Sequence, residues 1–171
     1  MAESARGRFA ALVLALVLGP LGTTASATPR SAPPGYDTSW CGQSGYPTIH
    51  AGDAVTLATC FTNTGTVTWV SGTASEVALA VCVDTPAPQY FACNVLSPYA
   101  DWAQGWTTPR IYGGAVKGVV APADFTFFSF IVKAPPGTTP GDYYFRGELI
   151  QRATGIPIHP VGYYHVVHVI P

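Results

Sequence analysis

The sequence predicts an all-β domain, a sandwich of short antiparallel strands, and three observations predict it. No stretch sustains a 3.6-residue apolar period long enough for an amphipathic helix. Short runs instead alternate apolar and polar residues with period two, which is the pattern of half-buried strands. Between the runs lie turn-forming segments, and the chain of 171 residues carries Gly 18 and Pro 16 to build them. Composition limits the alternatives. Hydrophobic residues make up 48% and charged residues 10%, against a usual charged share of about a quarter, so the bulk of the chain has the apolar content to fold. A formal charge of -1 gives no electrostatic attraction to nucleic acid, and no nucleic-acid partner is expected.

The first segment is read as targeting, not structure. Arg6 and Arg8 precede an apolar run over 9–21, and Ala25-Ser26-Ala27 supplies small residues in the A-x-A pattern. This predicts a secretory signal peptide over 1–27, cleaved after Ala27. The run is shorter than the roughly 20 residues of a membrane span, so no span is expected after cleavage. Residues 28–45 are rich in Pro, Ser and Gly and read as a flexible leader. The folded domain is expected over 46–171, in an extracellular or cell-surface location.

The strands follow in order. Residues 46–50 suit a short edge strand. In 55–62, Val55, Leu57 and Thr59 point one way while Thr56, Ala58 and Cys60 point the other. Asn63-Thr64-Gly65 then forms a tight turn of the kind that accepts positive φ, and Trp69 returns to the sheet as core. Residues 76–83 and 89–96 form a hairpin. Residues 97–105 form a loop with one helical turn, and 111–120, broken by Gly113, Gly114 and Gly118, an irregular connection with a short strand. Residues 124–133 (D-F-T-F-F-S-F-I-V-K) make the strongest strand. It is apolar on both faces, with Phe125, Phe127 and Ile131 on one and Phe128, Phe130 and Val132 on the other. Such a strand is either central to the core or carries an association surface. After the turn A-P-P-G-T-T-P-G, 142–151 and 162–170 are the last two strands. Roughly seven to nine strands with turns between them fit an immunoglobulin-like antiparallel β-sandwich.

Export gives the cysteines a meaning. Four of them in an oxidising compartment imply two disulfides. The preferred pairing is Cys41–Cys60 and Cys82–Cys93, the second across the hairpin and the first tying the N-terminal segment to a strand. A metal site is not expected. There is no CxxC pair, and the histidines lie far from the cysteines in sequence. His165 and His168 differ by three positions and so face opposite sides of a strand.

The blocks F-T-N-T-G-T-V-T-W, V-A-P-A-D-F-T-F-F-S-F and A-P-P-G-T-T-P-G-D-Y-Y-F-R-G-E-L resemble the NBR1-type four-tryptophan (FW) domain in its secreted bacterial variety. The resemblance runs over 46–170 and implies an immunoglobulin-like sandwich, with Phe61, Asn63, Gly65 and Trp69 as the core signature. Only Trp69 fills a family Trp position. Phe61 stands where the first Trp is usual, Gly147 where another often occurs, and Tyr163 or Tyr164 replaces the last. Trp40, Trp102 and Trp106 are not carried over.

Catalysis is not expected. The mature carboxylates include Asp37, Asp53, Asp84, Asp101, Asp124, Asp142 and Glu148. Several sit at turns, where local backbone bonding explains them, and no pair is singled out. No G-x-S-x-G occurs, and no cofactor is expected. The candidate ligand-binding residues are Tyr99, Trp102, Trp106 and Tyr112, aromatic side chains in a loop-like stretch with little charge. The expected function is a non-catalytic binding or structural module. Its expected partner is a protein or a second copy, with a carbohydrate-binding module using residues 99–112 as the alternative.

Overall fold

A computed structural model describes residues 31–86, 91–159 and 162–171. The expected signal peptide over 1–27 lies outside them. Among the described residues the regular secondary structure is nearly all strand: β1 (Thr38–Gln43), β2 (Thr48–His50), β3 (Ala54–Asn63), β4 (Trp69–Val70), β5 (Val77–Asp84), β6 (Phe91–Cys93), β7 (Ala103–Gln104), β8 (Ile111–Gly114), β9 (Val119–Val120), β10 (Phe125–Lys133), β11 (Gly141–Gln151), β12 (Ile156–Pro157) and β13 (Tyr163–Ile170). A single 3-10 turn, Ala100–Trp102, supplies the expected helical element.

Two sheets carry the sandwich. One has the order β1-β3-β10-β7 and the other the order β2-β13-β11-β5-β6, with β12 on β11 and β8 on β5. The small antiparallel pair β4-β9 forms a third, two-stranded sheet. The ladders are antiparallel except for β2, which runs parallel to β13 at the sheet edge.

The period-two reading explains the core. β3 turns Leu57, Thr59, Phe61 and Asn63 inward, and β10 turns Phe128, Phe130 and Val132 to meet Val81, Phe145, Leu149 and Val167 of the facing sheet. Trp69 is fully buried among them. Phe61 meets Phe128 and Tyr163 edge-on at 5.9 and 4.9 Å, the arrangement that ring quadrupoles favour. Gly147 faces this core where a Cβ would lie 3.1 to 3.3 Å from Leu79, Ala80 and the ring of Tyr112. Tyr112 therefore fills the space that a larger residue at 147 would need.

Both disulfides form as expected. Cys41–Cys60 joins β1 to β3 and Cys82–Cys93 joins β5 to β6, with Cα separations of 5.1 and 4.0 Å. Two such bridges suit an oxidising, extracellular environment.

Two expectations are corrected. The first is the leader over 28–45, because the sandwich begins at β1. Thr38 to Gln43 pair with β3 and are pinned by Cys41–Cys60. Ahead of them, Gly35 and Asp37 accept four backbone hydrogen bonds from residues 64–67. The second is the turn after β3. Neither Asn63 nor Gly65 has a positive φ. Asn63 is instead a buried clamp. Its Nδ2 donates to the carbonyls of Val67 and Val120, and its Oδ1 accepts from the Gly65 N–H. Gly65 is required by close approach, since a Cβ there would lie 2.3 Å from the Gly35 carbonyl oxygen.

Candidate functional site

The aromatic stretch over 99–112 turns inward. Trp102 and Tyr112 are buried, and Tyr99 and Trp106 are half-buried against the same core. Each has a local reason. The 3-10 turn at Ala100–Trp102 swings Trp102 onto Tyr143 and Phe145, at 4.5 and 5.5 Å. Trp106 donates its indole N–H to the Ile131 carbonyl at 2.7 Å. Tyr112 stacks on Phe130 at 4.1 Å and donates its hydroxyl to the Arg146 carbonyl. Burial pushes the Tyr112 phenol strongly upward, so it stays a neutral donor. These residues close one end of the sandwich, and only Tyr99 reaches a surface hollow. That hollow encloses about 230 Å³ beside Tyr144 and Arg146.

The exposed aromatic surface lies elsewhere, where the chain crosses from β1 in one sheet to β2 in the other. Trp40 is 49% exposed, Tyr46 47%, Tyr144 44% and Tyr164 40%. Trp40 pairs with buried Phe61, so it faces inward, but β1 is the last strand of its sheet and leaves one side of the indole in water. The indole lies nearly parallel to the Tyr163 ring, at 6.5 Å and 14°. Tyr46 repeats this with Tyr164, at 6.2 Å and 20°. Tyr144 on β11 continues the row, 5.9 Å from Tyr164. Trp40, Tyr46, Tyr163 and Tyr164 line an open groove of about 510 Å³, with Gln43 and Ser44 on its wall.

The groove is held in shape by polar contacts and carries no net charge. Gln43 donates through Nε2 to the Tyr164 carbonyl at 3.1 Å, tying the end of β1 to the start of β13. Ser44 exchanges two bonds with Ala58, fixing the crossing. Arg146 lies over both Tyr144 and Tyr164, at 5.8 and 5.3 Å, and its charge is answered by Asp84 at 3.0 Å. Partial burial raises the pKa values of Tyr46 and Tyr163, with hydrogen bonding to Tyr164 contributing for the first and the Glu148 charge for the second. The phenols are therefore neutral at physiological pH.

The second exposed feature is the outer face of β10. Phe128, Phe130 and Val132 are buried, while Phe125 and Phe127 are 49% and 46% exposed, with Val116 and Val119 exposed nearby in sequence. Lys117 covers the Phe125 ring at 4.8 Å and bonds Asp124 at 2.7 Å. The strand is thus central and also presents apolar rings to solvent.

The histidines stand apart from one another. His165 is buried on the inner face of β13 with Nε2 on the Thr59 hydroxyl at 2.8 Å, and burial lowers its pKa to about 4. His168 faces outward on Asp142 at 2.6 Å, and His159 sits on Asp37 at 3.3 Å. Among the described residues no group of three His, Cys, Asp or Glu gathers as a metal site would need.

Sequence reasoning missed Trp40, Tyr46, Tyr144 and Tyr164. The signal available was phase: in D-Y-Y-F-R-G-E-L the inward set is Tyr143, Phe145 and Gly147, which leaves Tyr144 and Arg146 outward together. No model of a known family matches the sequence, and no curated protein matches it.

Proposed function

We propose that this chain is an extracellular, non-catalytic binding module that works through the aromatic groove at the β1–β2 crossing. One observation carries the reading. Four large aromatic side chains, Trp40, Tyr46, Tyr144 and Tyr164, are left 40 to 49% exposed, on a domain that buries Trp69 and Trp102. Contiguous exposed aromatic surface marks recognition sites, because stacking on it removes apolar area from water at little entropic cost. The rings are also pre-set by their parallel packing and by the Gln43 tether, so little ordering is needed on binding. The non-catalytic part rests on the carboxylates. Asp84, Asp124 and Glu76 answer Arg146, Lys117 and Arg152, while Asp37 and Asp142 contact His159 and His168, and these pairs belong to different strands and turns. The arrangement of an immunoglobulin-like four-tryptophan domain remains the proposed architecture, supported by the buried Trp69 and Asn63 clamp. Export is likewise proposed from the signal-like residues 1–27 and supported by the disulfides.

A second reading is favoured by Phe125 and Phe127. It is association with a protein or a second copy through the outer face of β10.

The test is a triple variant, Trp40→Ala/Tyr46→Ala/Tyr164→Ala, compared with the mature chain on a glycan array and a peptide array, with self-association followed by sedimentation. The reading predicts an interaction that the variant loses while its Tm holds within a few degrees. It is overturned if every interaction found survives in the variant.

A further inference from the structure

Resting on the groove as the binding face, we infer that its ligand is a neutral polysaccharide, bound along the row Trp40–Tyr46–Tyr164–Tyr144 by stacking of sugar rings. Three observations select this class. The first is paired ring faces. Trp40 lies within 14° of the Tyr163 plane and Tyr46 within 20° of the Tyr164 plane, so each pair shares one orientation, and Tyr144 ends the row tilted 48° to Tyr164. A pyranose ring offers a C–H face to such a surface and hydroxyls at its rim. The second is polarity without charge. Gln43 and Ser44 and the phenol oxygens of the tyrosines sit among the ring faces, and among the described residues no carboxylate or ammonium lines the groove. Gln43 donates its Nε2 to the Tyr164 carbonyl, and its Oε1, which takes no bond from the described residues, is an acceptor for a sugar hydroxyl. The adjacent Arg146 is already paired with Asp84, so neither an acidic glycan nor an acidic peptide finds a free cation. The third is extent. The 510 Å³ groove is lined by Tyr164, and the 230 Å³ hollow by Tyr144 and Arg146, which lie beside Tyr164; the hollow's two charges, Asp84 and Arg146, answer each other. Two open hollows along one aromatic row suit a linear polymer that runs past the domain better than a small ligand that would need enclosure.

The probes are soluble neutral polysaccharides (hydroxyethyl cellulose, xylan, galactomannan and mixed-linkage β-glucan) in affinity electrophoresis, with hexasaccharides of the retarding polymer in calorimetry. Polygalacturonate serves as the acidic comparison. The mature, disulfide-bonded chain is expected to be retarded by at least one neutral polymer and not selectively by the acidic one. Trp40→Ala and Tyr164→Ala are each expected to weaken binding by at least roughly 10-fold, and the pair to abolish it, with thermal unfolding unchanged within a few degrees. Trp102→Phe, at the buried end of the molecule, should leave affinity unaltered. Absence of binding to every neutral polymer, together with a peptide or protein interaction that the Trp40 and Tyr164 variants lose, overturns the carbohydrate assignment and keeps the groove as a binding face. Polysaccharide binding that the variants leave intact overturns the assignment to this groove. If no ligand of any class responds to the variants, both the assignment and the binding-face reading fall.

Discussion

Acidification should destabilise this protein through His165. The imidazole sits inside the sandwich at 3% exposure. Its Nε2 meets the Thr59 hydroxyl, and its Nδ1 is buried with no partner. The groups around it (Leu79, Tyr112, Phe130, Phe145 and Tyr163) offer no counter-charge to an imidazolium. Burial accordingly lowers its pKa from 6.5 to about 4. The unfolded chain keeps the ordinary value, so between the two values it binds a proton that the folded chain refuses. The stabilisation is complete above about pH 6.5, declines as pH falls through the window down to about 4, and declines no further below it. The full difference is about 3 kcal/mol, of which about 2 kcal/mol is lost by pH 5. Urea unfolding at pH 7 and pH 5, with the disulfides intact, should show the midpoint falling by about 1 M from this group. The control is Thr59→Val/His165→Leu, which removes the hydroxyl and the imidazole together so that neither is stranded. The exposed pairs His159–Asp37 and His168–Asp142 are common to both proteins and cancel in the comparison. The double variant should therefore lose markedly less stability than the wild type between the two pH values. Equal losses in both would refute the reasoning, since the acid sensitivity would then come from elsewhere.

Three further outcomes follow from the packing. Gly65→Ala should cost about 3 kcal/mol, seen as a Tm drop of roughly 10 °C, because its Cβ would meet the Gly35 carbonyl oxygen and the Asp37 N–H at 2.3 and 2.7 Å; an unchanged Tm would show that the 35–37 segment yields freely. Replacing Cys82 and Cys93 by Ser should cost about 3 kcal/mol from the loop released over a separation of 11 residues, measured by urea unfolding without reductant. Phe125→Ser/Phe127→Ser should leave stability within about 0.5 kcal/mol, since both rings face solvent. If the β10 face is an association surface, sedimentation should find the wild type associating and the variant monomeric, and a wild type that stays monomeric at high concentration removes that reading.

How much of this was legible in the sequence depends on what held each residue in place. The long strands β3, β10, β11 and β13 declared themselves because alternation is local, and β5 did so as a continuous apolar run that is buried on both faces. Phe128, Phe130 and Val132 could be separated from Phe125 and Phe127 on phase alone, though which face was buried could not. Both disulfides were readable from turn composition and position. The leader was misjudged because its order is imposed from outside. Its Pro, Ser and Gly residues have weak strand preference, and the β3 ladder and the Cys41–Cys60 bridge fix them. The aromatic stretch over 99–112 turned inward for a related reason. Tyr and Trp are amphipathic, and local sequence cannot tell a stacking platform from a lid. Burial was decided by distant partners, the Ile131 carbonyl for Trp106 and the Arg146 carbonyl for Tyr112. Trp40 was missed for the converse reason. By phase it faces inward with Phe61, and only its place at the end of the sheet leaves it half in water.

The claim that the groove at the β1–β2 crossing is the working surface is tested most directly by the indole N–H signals. Trp69 and Trp102 are buried, Trp106 is bonded to Ile131, and Trp40 alone of the four is exposed. In a ¹H–¹⁵N spectrum of the mature chain titrated with a hexasaccharide of whichever neutral polymer retards it, the Trp40 indole and the amides of Tyr46, Tyr163 and Tyr164 should shift together and saturate. The Trp102 and Trp106 indoles should stay in place. Saturable shifts at Trp102 and Trp106 with Trp40 unmoved would contradict the account and return the site to the Tyr99–Tyr112 stretch.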